Sequence, residues 1–147
     1  RVDGVPSFTA RYIRLQMLGR NTGTFYALSI FEPYHYPTVT NATGSFQGVA
    51  ITAPSATTSM GAVITYQDAG SGTNTLNTDL ILKLSADNGS NFSTATLTAL
   101  PDFSTGIKMA KVNDLSVTSG TQLKYKFEFA NQGASKLARI RGVSLQY

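Results

Sequence analysis

Between Asn77 and Phe92 the chain alternates, with Leu80, Leu82, Leu84 and Ala86 set against Asp79, Ile81, Lys83 and Ser85. Successive side chains of an extended chain point to opposite faces, so this period of two predicts a strand with one face on a core. Ile81 interrupts the polar side and predicts a central strand, covered partly on both faces. Asp87-Asn88-Gly89 follows at once. Asn-Gly tolerates positive φ at both central positions of a tight turn, so a hairpin reversal is expected there, fixing the register of its neighbours.

The same alternation recurs along the chain. Over Gln122–Phe129, Leu123, Tyr125, Phe127 and Phe129 share one face, and Lys124, Lys126 and Glu128 share the other. Further strands are predicted at Phe46–Ala53, closed by Pro54, at Gly61–Gln67, and at Phe92–Leu100, pairing back across the Asn-Gly turn. Pro101-Asp102 predicts a break, and Lys108–Leu115 and Lys136–Tyr147 complete the set. In the last of these Ile140 is out of phase with Val143, Leu145 and Tyr147, and Gly142 at the slip predicts a β-bulge. Upstream, residues 8–18 and Phe25–Phe31 read as a hairpin ended by Glu32-Pro33, and the Pro, Thr and Asn residues of 33–44 read as linker. No segment of ten or more residues shows a helical period. The expectation is an all-β chain: a β-hairpin segment over 1–36, a linker at 37–44, and an antiparallel, jelly-roll-like β-sandwich over 45–147.

Composition narrows the class. Apolar residues make up 41% of the chain, in keeping with a globular core, whereas charged residues reach only 14%, well below the usual quarter or so. Thr, Ser, Asn and Gly must supply the polar surface, a composition common in extracellular β-rich modules and virion appendages. The net charge of +4 is concentrated at the ends, and the central residues 37–107 carry Lys83 against four aspartates. Alternate Lys residues near the C-terminus read as the solvated outer face of strands, and neither RNA-binding motifs nor zinc-finger spacing points to nucleic acid. There is no cysteine, hence no disulfide framework and no thiolate site. No run of about eighteen apolar residues occurs, so no membrane insertion is expected. The chain begins at Arg1 with neither an initiator Met nor a signal-like segment, and is read as part of something longer.

Material for catalysis is thin. His35 is the only histidine and lies in the Tyr34-His35-Tyr36 linker, which excludes a Cys–His pair or a histidine-rich metal site. The acidic residues stand beside Gly, Asn or Pro, where Asp bonds its own backbone in turns, so paired carboxylates of a glycan-cleaving enzyme are not expected. Asp87–Asn91 and Asp68–Asn74 offer oxygen atoms to Ca²⁺ but lack the EF-hand pattern, and both read as turns. No catalytic residue, cofactor or metal site is assigned. Sugar sites set an aromatic platform beside Asn, Asp or Arg groups, and Tyr34, Tyr36, Tyr66, Asn88 and Asn91 are the candidates for glycan or host contact.

Two resemblances add to this reading. Ala10–Leu15, "Ala-Arg-Tyr-Ile-Arg-Leu", and Ala27–Glu32, "Ala-Leu-Ser-Ile-Phe-Glu", resemble the closing strands of a discoidin-type (F5/8 type C) sandwich over about thirty residues, without that family's ligand-binding loops. Residues 1–36 would then be the end of such a sandwich or a hairpin dependent on an oligomer. The second resemblance runs over about residues 59–147. "Leu-Asn-Thr-Asp-Leu" at 76–80, "Ser-Ala-Asp-Asn-Gly-Ser-Asn-Phe" at 85–92, "Ser-Gly-Thr-Gln-Leu-Lys-Tyr-Lys" at 119–126 and "Gly-Val-Ser-Leu-Gln-Tyr" at 142–147 stand in one order. They resemble C-terminal β-sandwich domains of structural proteins from tailed bacteriophages, tail-fibre and appendage proteins above all. That resemblance implies a non-enzymatic virion component on an external appendage, a homo-oligomer with a trimer favoured. It would contact other virion proteins and present a surface to host glycans. A carbohydrate-binding module of a secreted protein and a capsid decoration protein are the alternatives.

Overall fold

The chain divides between Thr38 and Val39. The structure, a computed structural model, describes residues 41–147. The expected N-terminal hairpin, residues 37–40 of the linker, and Tyr34, His35 and Tyr36 lie outside the described residues, whereas Ala42, Thr43 and Gly44 of the expected linker belong to the first strand. Within them the fold is all-β: β1 (Ala42–Gln47), β2 (Ile51–Ala69), β3 (Leu80–Ser85), β4 (Ser93–Thr94), β5 (Thr98–Ser104), β6 (Ile107–Gln132) and β7 (Leu137–Gln146). Every strand pair is antiparallel.

The fold is built on one long ribbon. β1 and β2 run in succession along the same side of β6, from Ala42 opposite Gln132 to Tyr66 opposite Lys108. Gly48 carries the pairing across the gap between them, its N–H donating to the Tyr125 carbonyl at 2.9 Å. The other side of β6 takes β3 along its C-terminal half and β5 along its N-terminal half. β4 adds to β3, and β7 adds to the free side of β2 over Gly61–Ala69. All seven strands are connected through β6 in one antiparallel system, whose two sheets, β4-β3-β6-β1 and β5-β6-β2-β7, share that strand.

The core lies where the inward faces of these sheets meet. Ala62, Ile64 and Tyr66 of β2 with Ala110 and Val112 of β6 come from one sheet. Leu80, Leu82 and Leu84 of β3 with Leu123 and Phe127 of β6 come from the other, and all belong to one buried cluster. Each of the three leucines is fully buried, which contributes about 2 kcal/mol apiece relative to exposure. This sandwich-like packing follows from the alternation, as does the half-buried state of Ile81 and Lys83 on the opposite face of β3. The outer face of the β3–β6 pair carries the expected charges, with Glu128 bonded to Lys83 at 2.9 Å and to Lys126 at 2.8 Å.

Several expectations about the strands change: Phe92–Leu100 is split between β4, which pairs back on β3, and β5, which pairs with β6, and Phe46–Ala53 is interrupted between Gln47 and Ile51. β2 runs through Pro54 and β5 through Pro101-Asp102. In both, the proline falls within a register irregularity, between Thr52 and Thr57 or between Leu100 and Ser104, on a strand side with no ladder to break. The predicted strands at Lys108–Leu115 and Gln122–Phe129 are halves of the single strand β6. The bulge at Gly142 is present: Thr65 pairs with Gly142 and Tyr66 with Ile140, leaving Arg141 as the extra residue.

Candidate functional site

The Asn-Gly hairpin tip is built from its own side chains. Asn88 at φ 62° and Gly89 at φ 83° occupy the two central positions, and the Ser90 N–H reaches the Asp87 carbonyl at 3.3 Å. These are the features of a type I′ turn. The Asp87 carboxylate accepts from the Ser85 hydroxyl at 2.6 Å and from the Asn91 N–H and side-chain amide at 2.9 and 2.7 Å. The Ser85 hydroxyl and both Asn91 groups hold the Asp87 carboxyl down at about 2. Asp87 is thereby committed to the turn, whereas Asn88 and Asn91 are both exposed.

The loops at the other end of β3 and of β6 are tied by a buried polar network. Asp79, only 2% exposed, bonds Lys136 at 2.5 Å, the Thr75 N–H at 2.8 Å and the Asn131 side chain at 2.9 Å. The Lys136 ammonium, the Thr75 N–H and the Asn131 amide bring its carboxyl down to about 2 against the opposing effect of burial. Beside it Asn74 receives Gln132 at 2.9 Å and gives to Asp68 at 2.7 Å, and Asp68 bonds Lys108 at 2.7 Å. Burial acts to raise the Asp68 carboxyl, but Lys108 and the Asn74 amides outweigh it and hold the group below its ordinary value. Gln132 also accepts the Ala138 N–H at 2.7 Å. Among the described residues no buried side-chain polar atom lacks a partner. Fully satisfied networks of this kind fix loop positions. Both loops that offered oxygen to a cation have their carboxylates engaged in such bonds, and among the described residues no three metal-ligating side chains converge.

Tyr66, expected on a sugar-binding surface, points into the core instead and is 4% exposed. Its register opposite Lys108 and Ile140 puts it on the same face of β2 as Ile64 and Ala62. Burial raises its hydroxyl pKa above the ordinary phenol value, with Lys108 acting in the opposite direction. Of the candidate contact residues, the described region therefore offers Asn88 and Asn91.

A polar cleft that the alternation does not reveal lies at the bend of β6. Met60 pairs with Leu115 but Ala62 with Val112, so Gly61 faces the two residues Asn113 and Asp114, and Asp114 takes φ 52°. Such a bulge re-aims neighbouring side chains. Thr96, Thr98, Lys111, Asn113, Asp114 and Ser116 line an open cleft of about 520 Å³ together with Val112 and Leu115. The sequence signal was the Asn113-Asp114 pair within an apolar-alternating stretch. Val63 of β2, Phe103 of β5, Ile107 and Met109 of β6 and Val143 of β7 line a mainly apolar groove with Arg141, whose guanidinium is held by Gln67. Hydroxyls, an ammonium and a carboxylate around an open cleft can form hydrogen bonds with a polyhydroxylated ligand.

Comparison of this chain with protein-family models, with curated proteins and with solved structures finds no match.

Proposed function

We propose that this chain is a structural, non-enzymatic domain of a tailed-bacteriophage appendage, of tail-fibre or spike type, working as a homo-oligomer that displays a host-facing surface. The observation that supports this reading is the ribbon: β1 and β2 against β6, with short strands on its sides and a satisfied polar network at its loops. A scaffold of that kind holds loops rigidly, and repeated copies convert weak individual contacts into useful avidity. Phe46, Val49, Ile51 and Phe103 stand exposed on it, in keeping with burial against like subunits. Light scattering on residues 1–147 tests the assembly: a defined oligomer across the micromolar range is expected, and a monomer throughout that range overturns the reading.

The cleft at Thr96, Thr98 and Asn113–Ser116 favours one further reading, a glycan-binding module. On that reading soluble glycans raise the melting temperature of the monomer, since a ligand bound only to the folded state stabilises it by mass action. Thr98→Ala with Asn113→Ala would abolish the shift.

A further inference from the structure

Every sheet has edges, and an edge that exposes unpaired N–H and C=O groups is a template for another strand unless something blunts it. Four edges exist among the described residues, and three are blunted. β4 is two residues long. β5 carries Pro101 and Asp102 with an irregular register. β7 carries Arg139 and Arg141 and the bulge opposite Thr65 and Tyr66.

The fourth edge is the free side of β1 and of the first residues of β2. From Asn41 to Gln67 the sequence holds no Asp, Glu, Lys or Arg. Pro54 is the first interruption, so among the described residues Ala42–Ala53 has no strand on its outer side. Because the Gly48 N–H points inward to Tyr125, the alternation of an antiparallel ladder turns the main-chain groups of Ser45 and Gln47 outward. Large apolar side chains cluster there as well: Val49 is 89% exposed, Ile51 53% and Phe46 41%. Phe46 is already stacked at 5.3 Å on Phe127 and at 5.9 Å on Phe129, so its free surface is held in a fixed position.

We infer that this edge is completed by the same edge of a second copy, antiparallel about a two-fold axis near Ser45–Gln47. The charge distribution selects the occupant. A two-fold contact brings identical groups of the two copies close together, and the chain carries a net +4, so the stretch free of charge is where identical chains approach without like charges meeting. An isologous strand pair is self-complementary, setting Ser45 of each copy against Gln47 of the other and Val49 of each against Thr43 of the other. The contact is two-fold, so it builds assemblies of even copy number in place of the trimer that the sequence resemblance favours. This inference rests on the homo-oligomer reading above and specifies how the copies meet.

The test uses residues 1–147. Ser45→Lys with Gln47→Lys sets like charges opposite one another across the axis, and Gln47→Pro removes an outward donor while leaving the inward ladder alone. Leu137→Lys, on the edge of β7, is the matched control. Expected are an even-numbered wild-type mass, a dissociation constant raised at least tenfold by either edge variant, and no change with Leu137→Lys. Circular dichroism of each variant checks that the fold persists. Amide exchange gives a second readout: the Ser45 and Gln47 amides slow as protein concentration rises through the dissociation constant. An oligomer whose mass ignores both folded edge variants overturns the edge and leaves the homo-oligomer reading standing. A wild-type monomer overturns both, as does a monomer in which those amides are protected at every concentration. Aggregates of indefinite mass overturn the two-fold contact.

Discussion

Asp79 shows at residue scale how this fold uses its few charges. Its carboxylate is buried, and it links the segment before β3 to the turn between β6 and β7 through Thr75, Asn131 and Lys136. With a folded pKa of about 2, below the ordinary carboxylate value, the group contributes stability that is complete above about pH 4 and is lost as pH falls through 2. Asp79→Asn is therefore expected to lower unfolding free energy at pH 7 by about 2 kcal/mol. It should also flatten the decline between pH 4 and pH 2, as measured by urea denaturation across that range. Asp87 titrates in the same window, so part of the acid dependence persists in the variant. A wild-type and variant difference that is constant from pH 7 to pH 2 would refute the assignment. The sequence showed Asp79 on the polar side of an alternating strand. Burial came from Lys136, more than fifty residues away, and no local pattern encodes that partner.

At the scale of elements, β6 sets the positions of its neighbours. Where it passes the β3–β4 turn, the Gln122 N–H donates to the Ala86 carbonyl and the Asn88 N–H to the Gln122 carbonyl, each at 2.9 Å. Gly120 permits that approach, since a Cβ there would lie 2.1 Å from the Ala86 oxygen, a backbone atom that cannot swing aside. Gly120→Ala is expected to cost about 3 kcal/mol or more by forcing two strands apart. Phe103→Ala, by contrast, removes a ring that is 67% exposed and should change stability by less than about 0.5 kcal/mol. Chemical denaturation of both variants checks the pair, and equal losses would refute the close-approach argument. Strand existence and facing were legible here, from Leu80–Leu84 and Leu123–Phe129 and from the slip at Gly142. Strand length was not. Pro54 and Pro101 read as stops because proline breaks a ladder, and only the finished pairing reveals that both sit where no ladder is broken.

At the scale of the described region, β6 pairs with β1, β2, β3 and β5, and the residues of both sheets share one buried cluster. Neither sheet keeps its inward face covered without the other, so the region is expected to unfold as one unit. Amide exchange of β3 and of β7 under mild denaturant should give the same opening free energy. Separate values would show that the sheets are independent. The proposed assembly and the glycan-binding reading also belong to this scale, since they rest on the uncharged β1–β2 edge and on the cleft at Asn113–Asp114. By itself the sequence determined that the region is all-β, which residues face inward on the main strands, where the Asn88-Gly89 reversal falls and that charge is scarce. Those features follow from local rules of side-chain alternation, turn dihedrals and composition. Tertiary structure decided that Tyr66 is buried, that Asn113 and Asp114 open a cleft, and that β1 and β2 present an unblunted edge. Each of these depends on which strand lies alongside, and that is set by contacts between residues far apart in the chain.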